Sequence, residues 1–512
     1  MTKHVPFYSA FKIVALLLFY TLNSYAQYPD AVEQNLIKAG NNRPELEKAI
    51  VHCNKTGDSL KLKAIYFLIG NMDIHSTSDY YWVNNEGKKI AYNELEYPVF
   101  DQASKVFDSI KVKNPGLKPQ TIIYKDLETI KGDFLIDNLE KAFTAWKNSA
   151  VKGSSFDTFC EYILPYRMSV EPLQDWRTTY ATKFNWITNK IQTLGFEPSL
   201  AYVKDEANTW FSNTWRIGGR QEPLPRLGSM QILLRKQGTC EDLADLGVFT
   251  MRSLGIPATI NVIPYWATST GSHLNNTFFD GDKKAIPFDY GSEDNNEKLK
   301  REPAKVLRFT YSKQPEALAS VIDENQIPRG FMREKNYIDV THEYWQTTDV
   351  ECSLFPNPTI PKIAYIATFN GLRWQPFWWG KIKNNQTNFT QVCKGTVILP
   401  QYYNENKMIP AAYPILVDQT ENKVLKPDLQ QLQNITISSV TGYLILKLNV
   451  SYKLFYWDND WKLIDNKTVT ETTQNLVYEK VPKNALLLLL SSDSKRLERP
   501  FVVNDNEVRT WY

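Results

Sequence analysis

The hydrophobic period of this chain changes along its length, and that change limits the fold more than any other feature. Between about Pro29 and Gly195, apolar residues recur every three or four positions, as in amphipathic helices. The run Trp176, Tyr180, Phe184, Ile187, Ile191 and Leu194 predicts a helix over Gln174–Leu194 that stops at Gly195. Pro44, Glu45 and Glu47 mark a helix start after Asn42 or Arg43, and Asp58 is placed to cap the run from Leu60 to Leu68. From about Ala364 onward the apolar runs shorten and are separated by Asn, Gly, Asp and Pro. Ala364–Phe369, Thr396–Leu399, Tyr443–Val450, Tyr452–Trp457 and Ala485–Leu490 read as strands. In between, Ala201–Tyr311 is mixed, with one helix followed by three short strands. The expected fold class is therefore α+β, with a helical N-terminal region, a mixed core of helix plus antiparallel sheet, and one or two C-terminal β-sandwich modules.

A chain of 512 residues exceeds what one hydrophobic core can organise. The expected segments are 1–26, 27–198 (mainly helical), 199–330 (the mixed core), 350–428 (a first β-module) and 429–512 (a second, sandwich-like one). Lys3 and Lys12 precede the apolar run Ile13–Tyr20, and Ser24-Tyr25-Ala26 follows with small residues where a cleavage site needs them. This reads as a secretory signal peptide cut near Ala26. No later run of about 20 apolar residues could span a bilayer, so the mature chain is expected outside the membrane. The expected location is the periplasm, the cell surface or the extracellular space. Net charge is +3 with no clustered Lys or Arg, which argues against a nucleic-acid partner. Five cysteines, sparse and odd in number, do not make a disulfide scaffold and leave at least one thiol without an intramolecular partner.

One of those thiols stands in a distinctive place. Gly238-Thr239 form a turn and N-cap, Cys240 follows, and Leu243, Leu246, Val248, Phe249 and Leu254 continue at helical spacing to Gly255-Ile256-Pro257. Cys240 thus lies in a first helical turn, where unpaired N–H groups and the positive end of the dipole favour a thiolate, the nucleophilic form. Glu241 and Asp242 oppose that effect only if their carboxylates face the sulfur. Downstream, His273 begins a strand, Asp280-Gly281-Asp282 is a hairpin turn, and Phe288-Asp289 ends the return strand. A hairpin centred on Gly281 sets residue 273 opposite 289, on one face, where Asp289 can orient the imidazole and His273 can take the proton of Cys240.

The residues Gly238-Thr239-Cys240, Arg252-Ser253-Leu254-Gly255-Ile256-Pro257, His273 and Phe288-Asp289 resemble, in order and spacing, the core of the transglutaminase-like superfamily. That resemblance implies an α+β core related to papain-like enzymes, with Cys240 as nucleophile, His273 as base and Asp289 as orienting acid. Two positions depart from the family. Leu274-Asn275 stand where it has an aromatic residue shortly after the histidine, and Tyr290 stands where Pro is common. The family's oxyanion partner is an upstream side chain, for which Trp210 and Trp215 are the candidates. The order of parts also resembles exported bacterial proteins that join a helical region, this core and β-modules.

The segment Leu164–Arg177 is dense in charge and aromatics, and Arg167, Glu171 and Arg177 are its candidate substrate-binding residues beside Trp215. Three such charges are more often a structural ion-pair cluster at the start of the following helix. Trp374, Trp378 and Trp379 read as sandwich-core aromatics rather than a carbohydrate platform. No His, Cys and acid grouping has metal-ligand spacing, so no metal or other cofactor is expected. The expected activity is cleavage of an amide through a thioester, on a protein, peptide or glycopeptide, by hydrolysis in preference to cross-linking. The competing expectation is an inactive core of the same type that binds polysaccharide or protein through its β-modules.

Overall fold

The computed structural model describes residues 28–213, 226–291, 299–357, 361–441, 444–472, 475–504 and 509–512. The expected signal peptide and Trp215 lie outside the described residues. The chain divides into two compact units, one of the residues up to Thr77 with Ile123–Glu140, the other of Ser78–Ile122 with Lys141–Tyr512.

The first unit contains α1 (Asp30–Lys38), α2 (Arg43–Lys55) and α3 (Ser59–Asn71). Pro44 stands in the first turn of α2, and the Asp58 carboxylate accepts the N–H of Leu60 at 2.9 Å, so both sequence signals mark real helix starts. Their apolar faces bury Val32, Leu36, Leu46, Ile50, Ile65 and Leu68.

In the second unit, the helix expected over Gln174–Leu194 is two helices, α4 (Arg177–Phe184) and α5 (Trp186–Leu194), separated at Asn185. Asn is a weak helix former. Gln174 lies outside α4, and its side chain instead accepts the N–H of Met230 at 2.8 Å, at the start of another helix. Gly195 follows α5 with φ +88°, and α6 (Phe196–Trp210) continues from it. The helical region also holds three strands, Lys89–Ile90, Ser76–Val83 and Lys118–Lys125, side by side in that order. Thr77, Tyr80, Tyr81, Trp82 and Val83 are residues that suit a pleated surface, and they override the expected helical pattern there.

Next comes α7 (Cys240–Ser253), ended by Gly255. Gly255 has φ +72°, and a Cβ there would stand 2.1 Å from the Ala145 carbonyl oxygen, so both backbone and space require glycine. An antiparallel sheet follows, made of β1 (Ala258–Ile263), β2 (His273–Phe279), β3 (Ala285–Phe288), β4 (Leu307–Phe309) and β5 (Tyr337–Asp339), in the spatial order β5-β4-β1-β2-β3. α7 packs along β1 and β2 over a core that includes Leu243, Phe249, Ile260, Phe278 and Phe288.

The remaining chain is β-rich. A large antiparallel sheet is built from β6 (Thr347–Ser353), β7 (Ile363–Asn370), β8 (Arg373–Lys383), β9 (Gln386–Cys393), β10 (Thr396–Asn404), β11 (Lys407–Pro410), β12 (Ile415–Val417) and β13 (Asn422–Val424). Beyond it β14 (Asp428–Ile437) pairs with β17 (Leu476–Lys483), and β15 (Ser451–Trp457), β16 (Trp461–Thr468), β18 (Leu487–Ser491), β19 (Pro500–Val503) and β20 (Arg509–Trp511) form a second sheet. Their facing sides share Ile435, Tyr452, Leu454, Tyr478 and Leu489. Of the strand expected over Tyr443–Val450, Tyr443 lies outside the described residues, and Leu444 makes only an isolated bridge to Val440. Ile445 and Leu448 are exposed, so no sheet face claims them. Trp374 packs on Phe369 and on Trp457, both at 5.4 Å between ring centres, as an aromatic joint between the two β-regions. Among the described residues, no helix is long and apolar enough to cross a membrane.

Candidate active site

The turn that presents Cys240 is fixed by its neighbours. A Cβ at position 238 would stand 2.5 Å from the Asp242 Oδ2, so glycine is needed there. The Thr239 N–H donates to that Oδ2 at 2.8 Å, completing a capping box at the start of α7. Asp242 is thereby turned back onto the cap. Glu241 stands 3.5 Å from Arg226, whose guanidinium also forms two hydrogen bonds of 2.8 Å to buried Asp245. The two acids beside Cys240 are therefore each engaged with another group.

His273 opens β2 and Asp289 directly follows β3, so the two lie at one end of the hairpin. Its pairing differs from the expected one. Asn276 faces Phe288 and Phe278 faces Ile286, which centres the hairpin on Asp282 and would set 289 beside 275, not 273. The error is two residues, and a two-residue slip keeps every side chain on its face. His273 consequently reaches Asp289 diagonally, with Nε2 2.5 Å from Oδ2. The other Asp289 oxygen accepts the Gly291 N–H at 2.8 Å.

Cys240 is close enough to the His273 ring to help raise its pKa. With Nε2 turned to Asp289, Nδ1 is the ring nitrogen left for the sulfur. The strand and helix run side by side, and Asn276 on β2 donates to the Ala244 carbonyl at 2.8 Å one turn further along. Burial alone would lower the His273 pKa, but hydrogen bonds and charge from Asp289 and Cys240 outweigh it and raise it to about 10. Asp289 is held below the ordinary carboxylate value: burial opposes this, and the His273 hydrogen bond, its charge, the Gly291 N–H and Lys204 prevail.

The five thiols differ sharply. All are free, and Cys53, Cys160, Cys352 and Cys393 are buried, whereas Cys240 is partly exposed. Burial raises the pKa of the other four, Cys53 and Cys352 to about 12. Such thiols stay protonated and inert near neutral pH.

Trp266 was not singled out in the sequence. It lies on the loop between β1 and β2 and stacks on the His273 ring, 5.9 Å between centres and 23° between planes. An aromatic wall therefore stands against the imidazole from seven positions before it, although Leu274-Asn275 follow it. Loop geometry of this kind leaves no periodic trace.

The three charged candidates upstream are buried among main-chain groups. Arg167 donates to the carbonyls of Ser169 and Glu171, and the Glu171 carboxylate accepts the N–H groups of Met168 and Ser169 at 2.5 and 2.8 Å. Arg177 donates to the carbonyls of Ile163, Leu164, Pro165 and Arg252. Arg252 in turn bonds the carbonyls of Tyr162, Arg167 and Ala258. The cluster fixes the 162–171 loop to the end of α7 and the start of β1. Trp210 packs against Phe184 and Phe211, with the Lys183 ammonium 4.6 Å from its ring centre. Ser212–Asn213, two residues before the chain reaches 214, pairs with Gln237–Gly238 beside the Cys240 turn. A cleft of about 640 Å³ bordered by Arg329, Arg333, Tyr365 and Tyr403 lies elsewhere, and none of the three central residues lines it. Among the described residues, no group of three or more His, Cys, Asp or Glu side chains could hold a metal ion.

The chain matches no family model, and a search of curated proteins finds no match.

Proposed function

We propose that this protein is an exported cysteine enzyme, transglutaminase-like in its core, that cleaves amide bonds by way of a thioester. Its nucleophile is Cys240, its acid–base group His273 and its orienting group Asp289. The observation that carries this reading is that the one partly exposed thiol of five is also the one in reach of an imidazole that a carboxylate holds.

In the reaction, the Cys240 sulfur attacks the amide carbonyl carbon and forms a C–S bond. The His273 imidazolium gives its proton to the departing amine as the C–N bond breaks. Water, deprotonated by His273, then attacks the thioester, releasing the carboxylic acid and restoring the thiol. Asp289 keeps the ring oriented throughout and favours its charged form. A protein, peptide or glycopeptide supplies the amide, and an exported enzyme meets water in excess over any amine acceptor. Arg167, Glu171, Arg177 and Arg252 hold the end of α7 within the fold.

The test is alkylation of intact protein with iodoacetamide at pH 6.5, read by mass spectrometry. The buried thiols make the label specific. Cys240 of the wild type should react at least about tenfold faster than in His273→Ala. Equal rates in the two proteins would remove the basis for an enzyme and favour a binding scaffold.

A further inference from the structure

The stacking of Trp266 on His273 depends on the shape of the loop 264–272, and that loop is held from far along the chain. Asn370, the last residue of β7, is 6% exposed. Its Nδ2 donates to the carbonyls of Trp266, Ser269 and Gly271 at 3.1, 3.0 and 3.1 Å, and its Oδ1 accepts the Gly271 N–H at 3.1 Å. Gly271 has φ +88°, so the loop turns where one side chain reads both its ends. Within the loop the Trp266 N–H donates to the Gly271 carbonyl at 3.1 Å.

Arg499, just before β19, binds the same loop. Its guanidinium donates to the carbonyls of Ala267 and Phe369, to that of Ser269 at 3.4 Å and to a main-chain oxygen of Tyr512 at 2.7 Å. Burial lowers its pKa to about 10. Burying a guanidinium is costly, so such a placement is expected where the position of the groups it binds matters.

We propose that Asn370 and Arg499 are positioning residues for the Cys240–His273 pair. They hold the loop 264–272 so that Trp266 stays stacked against the imidazole and limits its rotation between Asp289 and the sulfur. Through them, the C-terminal β-regions set the geometry of a site whose three central residues all lie between 240 and 289. This rests on the reading of Cys240 and His273 given above for its effect on rate, but not for its effect on the ring.

The experiment uses the full chain with ¹³C-labelled histidine. The ring-current shift of the His273 signals is read in wild type, Trp266→Ala, Asn370→Ala, Asn370→Asp and Arg499→Lys. Val392→Ala, a cavity in the core of the same large sheet, controls for lost stability. Trp266→Ala should move the His273 signals, Asn370→Ala should move them in the same direction, and the two milder variants should move them less. Val392→Ala should lower the melting temperature and leave them in place. The same proteins are then alkylated across pH 5–9, where Asn370→Ala should slow Cys240 by about 10- to 100-fold.

His273 signals that stay at the wild-type position in Asn370→Ala, or that ignore Trp266→Ala, overturn the proposal. A wild-type Cys240 no more reactive than in His273→Ala defeats the enzyme reading instead, and the ring shifts still decide the clamp.

Discussion

Two buried or half-buried charged clusters in the second unit invite comparison. Around Arg167, Glu171, Arg177 and Arg252 the charged groups are almost wholly enclosed and bond mainly to main-chain atoms. Around Cys240, His273 and Asp289 the histidine and aspartate bond to each other beside the sulfur, and their side chains retain 22% and 20% of their exposure. In the sequence the first is, Arg252 apart, a local run of charges among aromatics, whereas the second is three residues spread from 240 to 289. The difference is in what satisfies them. Groups saturated by the backbone hold the fold, whereas groups that satisfy one another at an accessible edge can exchange protons with something bound there.

The sharpest way to break this contrast is to remove one member from each cluster. Cys240→Ser should lower any amide-cleaving turnover by at least roughly 10³-fold, while its unfolding free energy in urea stays within about 1 kcal/mol of wild type. Arg177→Met should do the reverse. It should destabilise the protein by about 3–5 kcal/mol, because buried carbonyls lose a charged partner, and alter alkylation of the folded fraction only a few-fold. If the two variants exchanged these behaviours, the contrast would be wrong.

Smaller changes sharpen it. Asp289→Asn should lower the His273 pKa from about 10 and slow Cys240 alkylation at pH 6.5 by about 10- to 100-fold. The same pairing has a signature in stability. The folded pKa of His273 lies above the ordinary value of about 6.5, so its contribution is complete below that pH and is lost as pH rises through about 10. The fall in stability between those values should be flatter in His273→Ala, as measured by urea midpoints. Thr239→Ala should show the smallest effect, a loss of about 1 kcal/mol from the α7 cap.

Much of this was legible in residue order, and the reasons differ by element. The start of α7 was readable because glycine, cap and acids are local signals, and each has a contact that requires it. The His273–Asp289 contact was readable because strand faces alternate, so a pairing misjudged by two residues still leaves both on one side. The break at Asn185 and the strand at Ser76–Val83 were not, since helical spacing of apolar residues does not exclude either. Trp266, Asn370 and Arg499 were beyond reach for another reason. They converge on a single loop from positions 104 and 129 residues apart, and nothing in a local pattern records such a meeting.

The account rests on an imidazole kept charged between a carboxylate and a sulfur. Direct titration of the His273 ring by NMR tests it most plainly. The expected result is a ring that stays protonated through neutral pH and titrates near 10, falling markedly in Asp289→Asn. A wild-type ring that titrates near 6.5 and ignores that substitution would contradict it.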